Sequence, residues 1–233
     1  MVHKLVTGTA KLTAPYLKLY SLPTPNGVKV TLLMELLGLD YYVQKIDIMK
    51  GEQKEPWYLK MNPNGRIPTL EIVDESGKST YISESAAIMY YISDKYDKER
   101  KFSYGPDSPY HYEQLEWVFF QMAGLGPMKG QFGHFAFYAK EKIEYGIKRY
   151  REETFRLIGV LEERLKRNGT GYLVGDHWSL ADIACFPWLR MSGGPPGSSI
   201  DEELKAYPLV TEWLDKIEKL DAVPRARSIP PFN

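Results

Sequence analysis

NPNGRIPTLEIVDESGKSTYISES, residues 62–85, is the stretch that decides the fold. Asn62-Pro63-Asn64-Gly65 is turn chemistry, and residues 67–73 then alternate apolar and polar as a strand does, with Pro68 near the start. Glu75-Ser76-Gly77-Lys78 marks a tight turn into a second strand at 79–82. Glu84-Ser85 opens an amphipathic run over 85–96, in which Ala86, Ile88, Met89, Tyr91 and Ile92 are placed to pack. A hairpin that feeds a helix needs further elements to cover its sheet. Upstream, residues 17–22 and 42–48 alternate as strands, and 28–37 runs at helical spacing with Val30, Leu33, Met34 and Leu37 on one face. Gly38 is placed to stop that helix, and 53–60 is polar and weakly helical. The order is βαβαββα, preceded by an arm at 1–16.

Beyond residue 98 the pattern changes. Residues 99–109 are charged and carry one Gly and two Pro, as a linker does, and helical periods then dominate at 110–123, 143–167, 178–190 and 208–220. A breaker-rich loop, MSGGPPGSS, lies at 191–199. The expected architecture is α/β plus all-α: an arm at 1–16, an α/β domain at 17–98, a linker at 99–109 and a helical bundle at 110–233.

The composition removes several function classes. Thirty Lys+Arg balance 30 Asp+Glu, so the charge gives no reason to expect nucleic acid or an anionic membrane as partner. The single cysteine, Cys185, rules out an intrachain disulfide and a CxxC redox pair, and its apolar setting (LADIACFPW) predicts a buried, inert thiol. No apolar run reaches spanning length and the first 16 residues do not read as a secretory signal, so a soluble cytoplasmic protein is expected. The four histidines form no metal pattern, and neither a GxSxG motif nor a phosphate or dinucleotide loop occurs.

Four motifs carry chemistry. Ile67-Pro68 stands at a strand entry; by itself the pair reads as an ordinary trans proline there, and the motifs around it are what turn the reading toward a main chain that pairs with an extended ligand. Glu84-Ser85 opens a helix; Ser85 reads as its N-cap, free N–H groups there bind a carboxylate, and Glu84 can hold an ammonium. Ser179-Leu180-Ala181-Asp182 reads as a capping box, a folding motif whose loss costs on the order of 1 kcal/mol or more. Thr24-Pro25-Asn26-Gly27 joins the first strand to the first helix and offers a hydroxyl and an amide, with Ser21 three residues earlier. Over residues 17–225 these motifs resemble cytosolic glutathione transferases. Thr24-Pro25-Asn26-Gly27, residues 117–121, Gly124-Leu125-Gly126-Pro127-Met128 and the 145–150 stretch containing Arg149 resemble the bacterial Nu class and the fungal branch that includes the yeast nitrogen regulator.

The resemblance implies a thioredoxin-like N-terminal domain, a helical C-terminal domain, a cis bond at Ile67-Pro68, and glutathione as co-substrate with no metal. It implies that Thr24 and Asn26 are the sulfur contacts, and that Gln53, Ile67, Glu84 and Ser85 hold the rest of glutathione. It further implies that Arg66 meets the glycyl carboxylate and that Arg149 reaches glutathione from the helical domain. Relatives of the Nu class reduce disulfides with glutathione alone and hold two glutathiones or one oxidised molecule. The function expected is therefore reduction of small disulfides, with conjugation of electrophiles beside it, by a homodimer. The alternative is a glutathione- or ligand-binding regulator without turnover. The regulator carries a long Asn-rich N-terminal segment that this sequence lacks, which favours the enzyme. The aromatic stretch at 132–138 suits either an electrophile pocket or core packing.

Overall fold

The computed structural model describes residues 4–5, 12–191 and 199–230. Most of the 191–199 loop and of the N-terminal arm lies outside the described residues. The chain forms two compact units, Met1–Tyr96 with Asp221–Asn233, and Asp97–Leu220.

The first unit is built on a mixed sheet of β1 (Lys4–Leu5), β2 (Tyr16–Ser21), β3 (Tyr42–Lys45), β4 (Thr69–Val73) and β5 (Ser79–Ser83), in the order β1-β3-β2-β4-β5. β3 runs parallel to β1 and β2, while β4 is antiparallel to β2 and β5. The expected βαβαββα order is present, with a strand added before it. Lys4 and Leu5 pair with Tyr42 and Val43, so part of the arm extends the sheet at the β3 edge. An open edge offers unpaired backbone groups to any extended segment, and two residues of strand are too few for alternation to signal them.

The helices of this unit are α1 (Pro25–Leu36), α2 (Pro56–Met61), α3 (Ser85–Tyr96) and α10 (Ala222–Arg227). α1 ends as expected at Gly38, whose φ of +67° suits glycine. It is buried on all sides from Gly27 to Glu35, not along one stripe, because α3 and α10 also pack on it. α10 is tied down by Thr31 Oγ1, which donates to the Ala226 carbonyl at 3.0 Å, and by Arg225 Nε, which donates to Glu35 at 2.9 Å. Residues 221–230 thus belong with the sheet and not with the helical bundle expected at 110–233. Periodicity shows that a helix forms and not which core receives it.

The second unit holds α4 (His111–Phe120), α5 (Gly126–Gly133), α6 (Glu144–Asn168), α7 (Leu180–Arg190), α8 (Asp201–Leu204) and α9 (Pro208–Glu218). The Gly124–Pro127 string does not stop the helix. A π turn at Gln121–Leu125 carries the chain from α4 into α5, and a second follows at His134–Tyr138. The stretch read as a linker is pinned: Asp97 accepts from Lys101 N, Phe102 N and the Ser103 hydroxyl, and Tyr104 is buried. The capping box is complete. Ser179 Oγ accepts from Ala181 N, and Asp182 Oδ2 accepts from Ser179 N at 2.9 Å. The fully buried Asp182 carboxylate also accepts from the Ser179 hydroxyl, Leu173 N and Trp213 Nε1.

Candidate functional site

The sheet register gathers most of the candidate residues. Tyr20 of β2 pairs with Thr69 of β4, and Thr69 with Ser83 of β5. The C-terminal ends of β2 and β5 and the N-terminal end of β4 therefore meet at one end of the sheet. β3 runs parallel to β2 and ends there too. The segments leaving that end carry Thr24 and Asn26 after β2, Gln53 after β3, Arg66 and Ile67 before β4, and Glu84 and Ser85 after β5. Arg149 is on α6, in the other unit.

At the β2–α1 junction Thr24 is the N-cap, with its side chain accepting from Gly27 N at 3.2 Å. A hydroxyl that accepts keeps its own proton to donate. Pro25 and Asn26 are the first two helical residues, and no acid stands in the first turn to oppose the positive end of the helix dipole. Gly27 is dictated by packing: a Cβ there would strike the Leu22 carbonyl and lie 2.6 Å from Ser21 Oγ. Ser21 is fully buried and donates to Leu22 O at 3.3 Å, which leaves the half-buried Thr24 as the more accessible of the two residues.

The strand entry at Ile67 is held from behind. Tyr58 Oη and Asn62 Nδ2 each donate to the Arg66 carbonyl at 2.8 Å. Thr69 Oγ1 lies 2.8 Å from the same phenol and accepts from Asn62 at 3.1 Å. Burial raises the Tyr58 pKa, so the phenol stays a donor. Ile67 packs on Tyr20, Ile46 and Tyr58, and its bond to Pro68 is cis, as the resemblance implied. Arg66 itself is exposed. Gly65, at φ +59°, sits so close to Gln53 O that a Cβ would come within 2.8 Å, which brings the turn before Ile67 against the Gln53 segment. Gln53 Nε2 donates to Ile48 O at 3.4 Å, while its Oε1 is buried without a partner. A buried acceptor without a protein partner can take its hydrogen bond from a water or a ligand.

At the start of α3 the structure corrects one detail. The Glu84 carbonyl accepts from Ile88 N at 3.0 Å, so Glu84 holds the capping position and Ser85 is the first helical residue. Glu84 has a φ of +70°, one of two non-glycine residues in the left-handed region among the described residues. That conformation costs about 1–2 kcal/mol without glycine. It leaves the Glu84 side chain exposed above a helix N-terminus. Ser85 is buried, and its Oγ accepts from Lys29 Nζ at 3.3 Å. Lys29 escaped the sequence reading because it falls inside an apolar run; a charge there was the one available signal.

In the second unit Arg149 is exposed and lines a cleft of about 650 Å³ with Tyr145, Tyr150 and Arg156. The aromatic stretch is not core. Phe137 and Tyr138 are exposed and Phe135 stacks on Tyr150 with centroids 5.5 Å apart. Among the described residues no group of three or more His, Cys, Asp or Glu could hold a metal ion, and no helix is long and apolar enough to cross a membrane. Cys185 is fully buried within α7.

Comparisons with known proteins agree on one family. Residues 15–94 match the glutathione S-transferase N-terminal domain, and residues 113–221 match the C-terminal domain. The chain is 39% identical to the disulfide-bond oxidoreductase YfcG of Escherichia coli, over 89% of this chain and 93% of that protein. It is similar to a glutathione transferase homologue of Lodderomyces elongisporus solved with two glutathiones per subunit, at 44% identity and TM-score 0.86, covering 94% of this chain and all of that one. It is also similar to the transferase URE2P8 of Phanerochaete chrysosporium solved with oxidised glutathione, at 35% identity and TM-score 0.81, covering 91% and 94%.

Proposed function

Because the chain belongs to the glutathione S-transferase family, we propose that it is an enzyme that uses the thiolate of glutathione to reduce small disulfides, with conjugation of small electrophiles as a second activity. One observation carries this reading. The α1 N-terminus presents Thr24 and Asn26 with no acid in its first turn, while the only protein thiol is fully buried. The nucleophile must then be brought by the ligand.

An ordinary cysteine thiol has a pKa of about 8.5, so little is ionised at neutral pH. Hydroxyl and amide donors at a helix N-terminus favour the anion. Neither Thr24 nor Asn26 titrates, so they stabilise the thiolate and remove no proton. The thiolate attacks one sulfur of the substrate disulfide, forms a mixed disulfide and releases one thiolate. A second glutathione thiolate attacks the glutathione sulfur, which yields oxidised glutathione and the second product thiol. Two glutathiones are oxidised for each disulfide reduced. The Lodderomyces and Phanerochaete relatives, solved with the two reductants and with the oxidised product, support that stoichiometry.

In this assignment the Ile67 main chain pairs with the cysteinyl backbone, Glu84 and Ser85 receive the γ-glutamyl ammonium and carboxylate, and Gln53, Arg66 and Arg149 complete the contacts. The same reading carries a cytoplasmic homodimer with a part in detoxification, and sedimentation tests the dimer. The deciding experiment is glutathione-dependent reduction of a small disulfide by the wild-type protein and by Cys185→Ser. Equal activity in both is expected. Activity lost only in Cys185→Ser would overturn the ligand-borne nucleophile, and glutathione binding without turnover in either would favour the regulator.

A further inference from the structure

Lys29 is fully buried in α1, in the stretch Gly27–Glu35 where every residue is buried. Taking an ammonium out of water costs several kcal/mol, and an apolar side chain of similar length in a helix of this kind avoids that cost. A charge kept here is held by polar partners, and Ser85 is one of them. Lys29 Nζ lies 3.3 Å from Ser85 Oγ. An ammonium only donates, so the Ser85 oxygen is the acceptor in this contact and the hydroxyl proton is directed away from Lys29. Ser85 is the first residue of α3, directly after the left-handed Glu84, where the helix's own N–H groups also seek an acceptor.

Lys29 also sits three positions after Asn26, on the same side of α1. One helix thus carries a thiolate contact at its tip and a cation at the base of α3.

We propose that Lys29 is a positioning residue for glutathione: its ammonium polarises Ser85 and aims the hydroxyl proton at the γ-glutamyl carboxylate. This rests on the assignment of Glu84-Ser85 as the γ-glutamyl site. Lys29 itself touches no reacting atom. It acts through Ser85, and adds positive potential where the carboxylate docks.

The test is calorimetric titration with glutathione and with 4-aminobutyryl-cysteinylglycine, which is glutathione without the γ-glutamyl carboxylate. The proteins are wild type, Lys29→Met, Ser85→Ala and the double variant. Wild type is expected to prefer glutathione by about tenfold or more, as a charge-assisted hydrogen bond implies. Lys29→Met should lose that preference while binding the analogue as wild type does, and Ser85→Ala and the double variant should match it. Full preference in Lys29→Met would overturn the proposal, and so would an equal loss of both ligands, which marks a merely structural lysine. If Lys29→Met does not fold, a crystal structure of the wild-type glutathione complex decides. Ser85 Oγ within hydrogen-bond reach of both Lys29 Nζ and the carboxylate sustains the proposal, and Ser85 turned from the carboxylate ends it. Wild type binding neither ligand would instead sink the glutathione reading, and wild type binding both equally would sink the γ-glutamyl site.

Discussion

At the start of α7, Ser179 caps the helix and Asp182 caps back, so the buried carboxylate ends with four donors around it. At the start of α3, Ser85 sits one residue inside the helix, its oxygen faces Lys29, and Glu84 occupies the cap at φ +70° with its carboxylate in solvent. Both junctions bring a serine and an acid to a helix N-terminus. At α7 every group is satisfied internally, which is how a structural joint is made. At α3 the local geometry is unfavourable and the acid finds no helical donor to hold. Backbone strain of this kind clusters at functional sites, and the proposed γ-glutamyl contact gives it a use. Under the proposed function, the difference separates a joint that serves the fold from one that receives the γ-glutamyl group.

Substitutions sharpen that contrast. The largest effect is expected for Asp182→Ala, which orphans Leu173 N, Ser179 N and Trp213 Nε1 in the interior. A stability loss of at least about 3 kcal/mol in urea titration is expected, more than a lost cap alone. A loss below about 1 kcal/mol would mean that α7's start is no firmer than α3's. Asn26→Ala comes next: turnover should fall by at least about tenfold, or 1.4 kcal/mol, with the melting temperature unchanged. A fully active variant removes Asn26 from the sulfur site.

Glu84→Gly should move two quantities in opposite directions. Relief of the left-handed residue, less the entropy glycine loses on folding, leaves a gain of roughly 0.5 kcal/mol in stability. Glutathione binding should weaken as the ammonium partner goes. A variant that is less stable, or that binds as wild type, would erase the distinction between the two helix starts. The smallest effect is one of pH. Burial raises the Asp182 pKa above its ordinary 3.8, against the pull of its donors. The folded state then holds more protons than the unfolded one just above that value, so stability falls as pH rises through the folded pKa. The stability margin of wild type over Asp182→Asn should narrow from pH 4 towards neutrality, and a margin that widens reverses the assigned direction.

Much of this was legible in the residues. The 62–85 stretch places β4, β5 and α3 because turn chemistry and alternation are local properties. Ser179 and Asp182 were readable for the same reason. What escaped depends on distant partners. Lys4–Leu5 becomes a strand only because β3 has an open edge, and α10 joins the sheet unit through Thr31 and Glu35, almost 200 positions away. Ser85 reads from sequence as a helix start, but its one-residue displacement from the cap goes with the left-handed φ of Glu84, which sequence does not signal. The Gln53 orphan oxygen likewise has no signature in sequence.

The burial of Cys185 bears on how this protein can be assayed. A native sample contributes no accessible sulfhydryl of its own. A colorimetric thiol reagent added to the folded protein therefore counts only carried-over or added glutathione. Unfolding in denaturant should release one further equivalent per chain, which makes the same reagent a built-in reporter of the folded fraction.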